Sequence, residues 1–189
     1  MIYIIHIGKC GGGSLTQELK KNKIKYICCH CNKPIIKNNF KYTILIRDPI
    51  NRFISAFNWN MFRSTTEEGY NFQGMKIQSN IKEVSAYFNY WKNINNFAEN
   101  LYDKYGNIND MALKLIKNSR HLNLNINYYL QDILSFLNTD NCNIIRYEYY
   151  NDDIKSIFDI KKITSRSHIY NKQYSKYISY KGIQNLRVF

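Results

Sequence analysis

The chain has 189 residues, 44% of them hydrophobic and 15% aromatic, which excludes an intrinsically disordered segment and leaves room for a real core. It carries 27 basic and 14 acidic residues, a net charge of +13. An excess of that size points to an anionic partner (nucleic acid, an acidic polymer or membrane, or a multiply charged nucleotide), with plain solubility as the other explanation. The aromatic residues do not interleave with the charges as a nucleic-acid-binding motif does, so no nucleic-acid partner is expected. The two prolines leave no place for a Pro-rich linker.

In chain order, Ile2–Ile7 is β-branched or aromatic apart from His6 and suits a buried strand. Gly8-Lys9-Cys10-Gly11-Gly12-Gly13 follows as a tight turn, then a helix over Ser14–Asn22 with Ser14 as cap and Gln17 as its capping-box partner. Lys23–Cys31 reads as a second strand, 32–39 as a polar linker and Tyr42–Ile46 as a third strand. Asp48 then caps a helix with Pro49 at its first position, running to about Arg63. The stretch 64–80 reads as a mobile surface segment. Helices are expected over 81–91, 95–105, 110–117 and 125–137, a fourth strand over Cys142–Tyr147, a helix near 152–158, a basic loop over 161–173 and a last helix over 174–189. Strands separated by helices imply a three-layer α/β fold with a P-loop-like parallel sheet of about four strands. One domain over 1–189 is expected, its helical, acceptor-side portion at about 64–140.

No signal-peptide pattern opens the chain, and no run of about 18 apolar residues could span a membrane. Five unevenly spaced cysteines suit reduced thiols. A cytoplasmic location without a membrane span is the expectation.

Strand, glycine turn and helix N-terminus together form an anion cradle, because free N–H groups and the positive end of the helix dipole both face the turn. Lys9 adds a full charge. The turn is not the G-x-x-x-x-G-K-[ST] loop of ATP or GTP enzymes, since Lys9 precedes the glycines and no acidic cluster for Mg²⁺ ends a strand. Nor is it a G-x-G-x-x-G dinucleotide fingerprint. The later strand ends in Arg47-Asp48-Pro49, and Ser55 lies eight residues after Arg47. At about 100° per residue, Ser55 returns to the same side of the helix as Asp48 after two turns. A guanidinium fork and a hydroxyl suit one phosphate.

Lys-x-Gly-x-x-Ser after strand one, followed by Arg-Asp-Pro-x-x-Arg-x-x-Ser after a later strand, resembles the sulfotransferases that use 3′-phosphoadenosine-5′-phosphosulfate (PAPS). His6–Gly12 and Ile46–Phe57 look like the small bacterial and viral members related to carbohydrate sulfotransferases, and Tyr147-Glu148 also looks similar. The resemblance implies that Lys9, Cys10, Gly11, Gly12, Gly13, Ser14 and Leu15 hold the 5′-phosphosulfate and Arg47 with Ser55 the 3′-phosphate. Lys9 would stabilise the leaving group. No metal is implied. Gly13 departs from the family, which commonly has Thr there, so one hydroxyl contact is lost.

The acceptor, a glycan hydroxyl by resemblance, needs a base. His30, at a strand end between the two motifs, is the first candidate, and His121 the second. His6 reads as a core histidine and His168 as solvent-exposed. Cys28-x-x-Cys31 has metal-ligand spacing, but no second pair accompanies it, so buried thiol packing is expected and no metal. Arg52 suits either a phosphate contact or an ion pair on the helix surface. Lys33 and the 166–172 loop suit an anionic acceptor, the 3′-phosphate or plain solvation. A non-catalytic nucleic-acid or polyanion-binding module and a phosphotransferase are the alternatives to the enzyme.

Overall fold

The structure, a computed structural model, describes residues 1–67, 69, 81–164 and 174–189. The chain divides into two compact units. The first takes residues 1–52 with the segment that begins at Leu124, the second the segment that begins at Phe53 together with the C-terminal stretch.

The first unit holds strands β1 (Ile2–His6), β2 (Tyr26–His30), β3 (Lys41–Ile46) and β4 (Cys142–Arg146), all parallel, in the order β2-β1-β3-β4. This is the expected α/β architecture, a four-stranded parallel sheet flanked by helices. Tyr3, Ile4 and Ile5 in β1 and Tyr42, Thr43, Ile44 and Leu45 in β3 are buried without alternation, as strands covered on both faces must be. The edge strands β2 and β4 instead expose Ile27 and Ile144. Leu15, Leu19, Tyr129, Ile133 and Ile154 from the surrounding helices complete the core. Two buried phenols pin the 32–39 linker. The Tyr42 hydroxyl donates to the Ile35 carbonyl at 3.0 Å and accepts from the Lys37 amide at 2.8 Å, while the Tyr3 hydroxyl accepts from the Ile35 amide at 3.1 Å.

Between β1 and β2 lies α1 (Gly12–Lys21). It starts two residues before the expected Ser14. Gly11 is its N-terminal flank, in the left-handed region at φ 92°, and no side chain caps the helix. Ser14 is therefore a first-turn residue rather than the cap, because glycine reaches a backbone conformation that starts the helix earlier. Helix α2 (Pro49–Thr65) begins as expected, with the Asp48 carboxylate accepting from the Asn51 amide at 2.8 Å.

Helices α3 (Ile81–Trp91), α4 (Ile94–Glu99), α5 (Asp110–Asn118) and α6 (Arg120–Asn123) belong to the second unit. Its core is aromatic: Phe57 lies 5.0 Å from Phe88 and 5.2 Å from Phe97 between ring centres, and Trp91 lies 5.5 Å from Phe97. Helix α4 is shorter than the expected 95–105. The Asp103 carboxylate accepts from the Tyr105 and Asn107 amides and closes a turn instead.

In the first unit, α7 (Ile126–Leu130) and a 3₁₀ turn at Leu134–Phe136 replace the single helix expected over 125–137. After β4 and a 3₁₀ turn, α8 covers Tyr150–Phe158. In the second unit, α9 covers Tyr180–Val188 rather than 174–189 and is capped by Ser179, whose hydroxyl accepts from the Gly182 amide at 3.2 Å. The expected surface segment at 64–80 and basic loop at 161–173 lie largely outside the described residues. Among the described residues no helix is long and apolar enough to cross a membrane.

The strand order fixes where a ligand can sit. From β1 the chain moves to one side to make β2, then crosses back to make β3 on the other side. The carboxyl ends of β1 and β3 thus flank a topological switch point, the place where open parallel sheets bind ligands.

Candidate functional site

The loop that leaves β1 is strained and then held by cations. Lys9 and Gly11 both adopt the left-handed region, at φ 69° and φ 92°. Gly11 does so at little cost, whereas an L-residue such as Lys9 pays about 1–2 kcal/mol. Two arginines from the β3–α2 junction grip this loop. The Arg47 guanidinium donates through Nη1 to the Lys9 carbonyl at 3.2 Å, and Arg52 donates through Nε to the Gly8 carbonyl at 3.0 Å. Both carbonyls, which would repel an anion, are thereby turned onto cations. Arg52 also donates through Nη2 to the Leu124 carbonyl at 2.5 Å. It is a strut between the loop and the segment before α7, a role that neither expectation for it included.

Behind the loop stands the β4–α8 junction. The Arg47 guanidinium lies 4.1 Å from the centre of the Tyr147 ring, and the Asp48 amide donates to the Glu148 carboxylate at 3.0 Å. A Cβ on Gly11 would come within 3.0 Å of Tyr147, so this approach also requires glycine. The buried Nε of Arg47 has no hydrogen-bond partner among the described residues.

Gly12 is glycine for a different reason. A Cβ there would stand 2.1 Å from Cδ2 of His6. The imidazole of His6 is the floor on which the first turn of α1 rests. Beside it, His30 is its register partner across the parallel β1–β2 pair, and the two rings lie against each other with centres 4.0 Å apart and planes tilted by 34°. Cys28 lies on the same face, its Sγ 4.0 Å from His6 Nδ1, as the alternation of the strand predicts. All five cysteines are free thiols.

The electrostatics follow from crowding like charges in a half-buried place. The Lys9 ammonium is pushed down to about 7, by burial first and by the Arg47 charge second. His6 is pushed down to about 3 by burial, then by His30 and Lys9, so its ring is neutral at any working pH. Burial raises the Cys10 thiol to about 11 against the opposing pull of Arg52 and Arg47. It is a buried thiol, not a reactive thiolate. No acidic side chain lies in the first turn of α1.

Of the residues picked from the sequence, Lys9, Cys10, Gly11–Leu15, His30, Arg47 and Arg52 lie in the first unit, at or beside the carboxyl ends of β1, β2 and β3. Lys33 is also there, but its ammonium is ion-paired with Asp132, both side chains half-exposed. Ser55, buried on α2, and His121, buried on α6, belong to the second unit. Sequence reasoning missed His6 as the support of Gly12 and Arg52 as a strut. Both depend on which residues face each other across the sheet, which one strand read alone does not reveal.

Compared with protein-family models, with curated proteins and with solved structures, the chain finds no match in any of the three.

The site is thus a cationic cradle. An uncapped helix N-terminus, an ammonium and a guanidinium with an unsatisfied buried N–H border one loop at the switch point. These features fit a phosphate-bearing ligand better than a neutral one. The dipole of α1 alone favours an anion by about 0.3–1 kcal/mol.

Proposed function

We propose that this chain is a PAPS-dependent sulfotransferase that transfers a sulfuryl group to an acceptor hydroxyl, with a carbohydrate as the acceptor class. The observation that carries the reading is the junction of its two motifs. Arg47 of the second motif donates to the carbonyl of Lys9 of the first, at the β1/β3 switch point.

PAPS would supply an activated sulfuryl group on a phosphate leaving group. The first-turn amides of α1 would hold that phosphate. The Lys9 ammonium would neutralise the charge that grows on it, a contribution of about 3–4 kcal/mol for one well-placed donor. Arg47 would hold the 3′-phosphate through its planar fork, a role that the resemblance assigns to Ser55 as well. His30 would take the proton of the acceptor hydroxyl as oxygen attacks sulfur. Burial keeps the Cys10 thiol protonated, so it would not compete with the acceptor as a nucleophile.

The test is ligand identity. Adenosine 3′,5′-bisphosphate should raise the thermal midpoint clearly more than adenosine 5′-phosphate, since only the former carries the second phosphate. Equal shifts, or none, would overturn the cofactor. Labelled PAPS offered with a panel of glycans then reads the transfer itself.

A further inference from the structure

We infer that His6 is a positioning residue: its carbonyl and ring hold His30 with Nδ1 protonated and Nε2 as the proton-accepting atom, while the same imidazole supports the Gly12 turn of the anion loop. The inference rests on the sulfotransferase reading for its consequence, though not for its geometry.

Three contacts carry it. The His30 ring places Nδ1 3.4 Å from the His6 backbone carbonyl. A carbonyl can only accept, so a hydrogen bond there requires the proton on Nδ1 and puts the lone pair on Nε2. The tilted ring contact at 4.0 Å restricts rotation of the His30 ring about that bond. Gly12 packs against the His6 ring at a spacing that admits no Cβ. One side chain therefore sets two distances at once: where the loop amides stand and where the base stands. The neutrality of His6 matters to this arrangement. When His30 gains a proton from an acceptor, the neighbouring His6 ring carries no charge to repel it.

This arrangement explains why a histidine, rather than a branched aliphatic residue, ends β1. An imidazole is flat enough to lie under a glycine and beside a second ring, and an isoleucine is not.

Long-range ¹H–¹⁵N NMR of the full chain at pH 8 reads the tautomer directly. The Nδ1-protonated form of His30 is expected, and a dominant Nε2-protonated form would overturn the inference whether or not PAPS is the cofactor. In His6→Ala the backbone carbonyl remains but the ring that confines His30 is gone, so the tautomer should hold while kcat falls at least tenfold, with KM for PAPS changed less. A folded His6→Ala with unchanged kcat would also overturn it. For the floor, Gly12→Ala should lower the thermal midpoint by about 5 °C, and Gly12→Ala with His6→Ala should melt above Gly12→Ala alone. A double variant no more stable than the single one removes the supporting role. A wild-type chain that keeps the Nδ1 tautomer but fails to bind adenosine 3′,5′-bisphosphate would refute the cofactor and leave the positioning of His30 standing.

Discussion

Proton linkage at Lys9 gives the sharpest test of the anion cradle. The ammonium titrates at about 7 in the free protein, because burial and Arg47 both disfavour its charge. A phosphate beside it must raise that value. Binding then takes up a proton, and affinity falls as pH rises. With a free-state value of 7 and a bound-state value well above it, the apparent Kd at pH 8 should be about tenfold weaker than the fully protonated limit, each further unit costing up to another tenfold. The window between pH 7 and 8.5 lies above the second ionisation of the phosphate itself, at about 6, so the ligand does not confuse the slope. Calorimetry in two buffers of different ionisation enthalpy measures both the affinity and the proton uptake. Lys9→Arg keeps its charge at every accessible pH and should flatten the curve. A flat wild-type curve, or the same slope in Lys9→Arg, would refute the reasoning. Stability without ligand should move the other way. A lysine whose folded value lies below its unfolded value of about 10.4 carries a penalty that is complete below pH 7 and is relieved as pH climbs toward 10.

Three further outcomes follow from single side chains. Arg52→Lys removes a guanidinium that bridges the Gly8 and Leu124 carbonyls, and one ammonium cannot reach both. Urea unfolding should show a loss of about 2 kcal/mol, and a change under 0.5 kcal/mol would show that the strut is idle. Gly11→Ala forces an L-residue to φ 92° and a Cβ against Tyr147. Binding of adenosine 3′,5′-bisphosphate should weaken at least tenfold, and wild-type affinity would count against the loop geometry. Tyr150→Phe deletes a buried hydroxyl that has no hydrogen-bond partner among the described residues, so stability should hold or rise. A loss above about 1 kcal/mol would reveal a bond that this geometry does not contain.

What could be read from the chain alone divides along physical lines. The parallel sheet was legible because β1 and β3 are continuous apolar runs, and only strands covered on both faces read so. The Asp48–Pro49 start of α2 was legible because the cap is local: the carboxylate acts three residues away. The start of α1 was misplaced because a side-chain cap was expected where glycine conformation made one unnecessary. Helix ends were overrun wherever a polar turn stopped the helix, as the Asp103 turn does after α4 and the Ser179 cap does before α9. In the site, Lys9 and Arg47 could be found because strand ends point to them. The placement of His6 under Gly12 could not, since it follows from the fit of α1 over β1, a contact between segments with no mark in either.

The charge excess admits two explanations, and local energetics separates them. Lysines that merely keep a protein soluble sit in water and cost the fold nothing. The loop after β1 is different. It holds a lysine in the left-handed region, at about 1–2 kcal/mol. It keeps that lysine half-buried beside a guanidinium, so that its charge is partly suppressed at neutral pH. Next to it a buried guanidinium N–H goes without a bond, a further cost of about 1–3 kcal/mol. Three independent costs fall on one loop, at the one point where the strand order opens the sheet. Solubility explains none of them. A multiply charged anion beside the loop would relieve the second, by restoring the charge of Lys9. An anion bound beside this loop would therefore relieve a cost that belongs to the loop rather than to the basic surface at large.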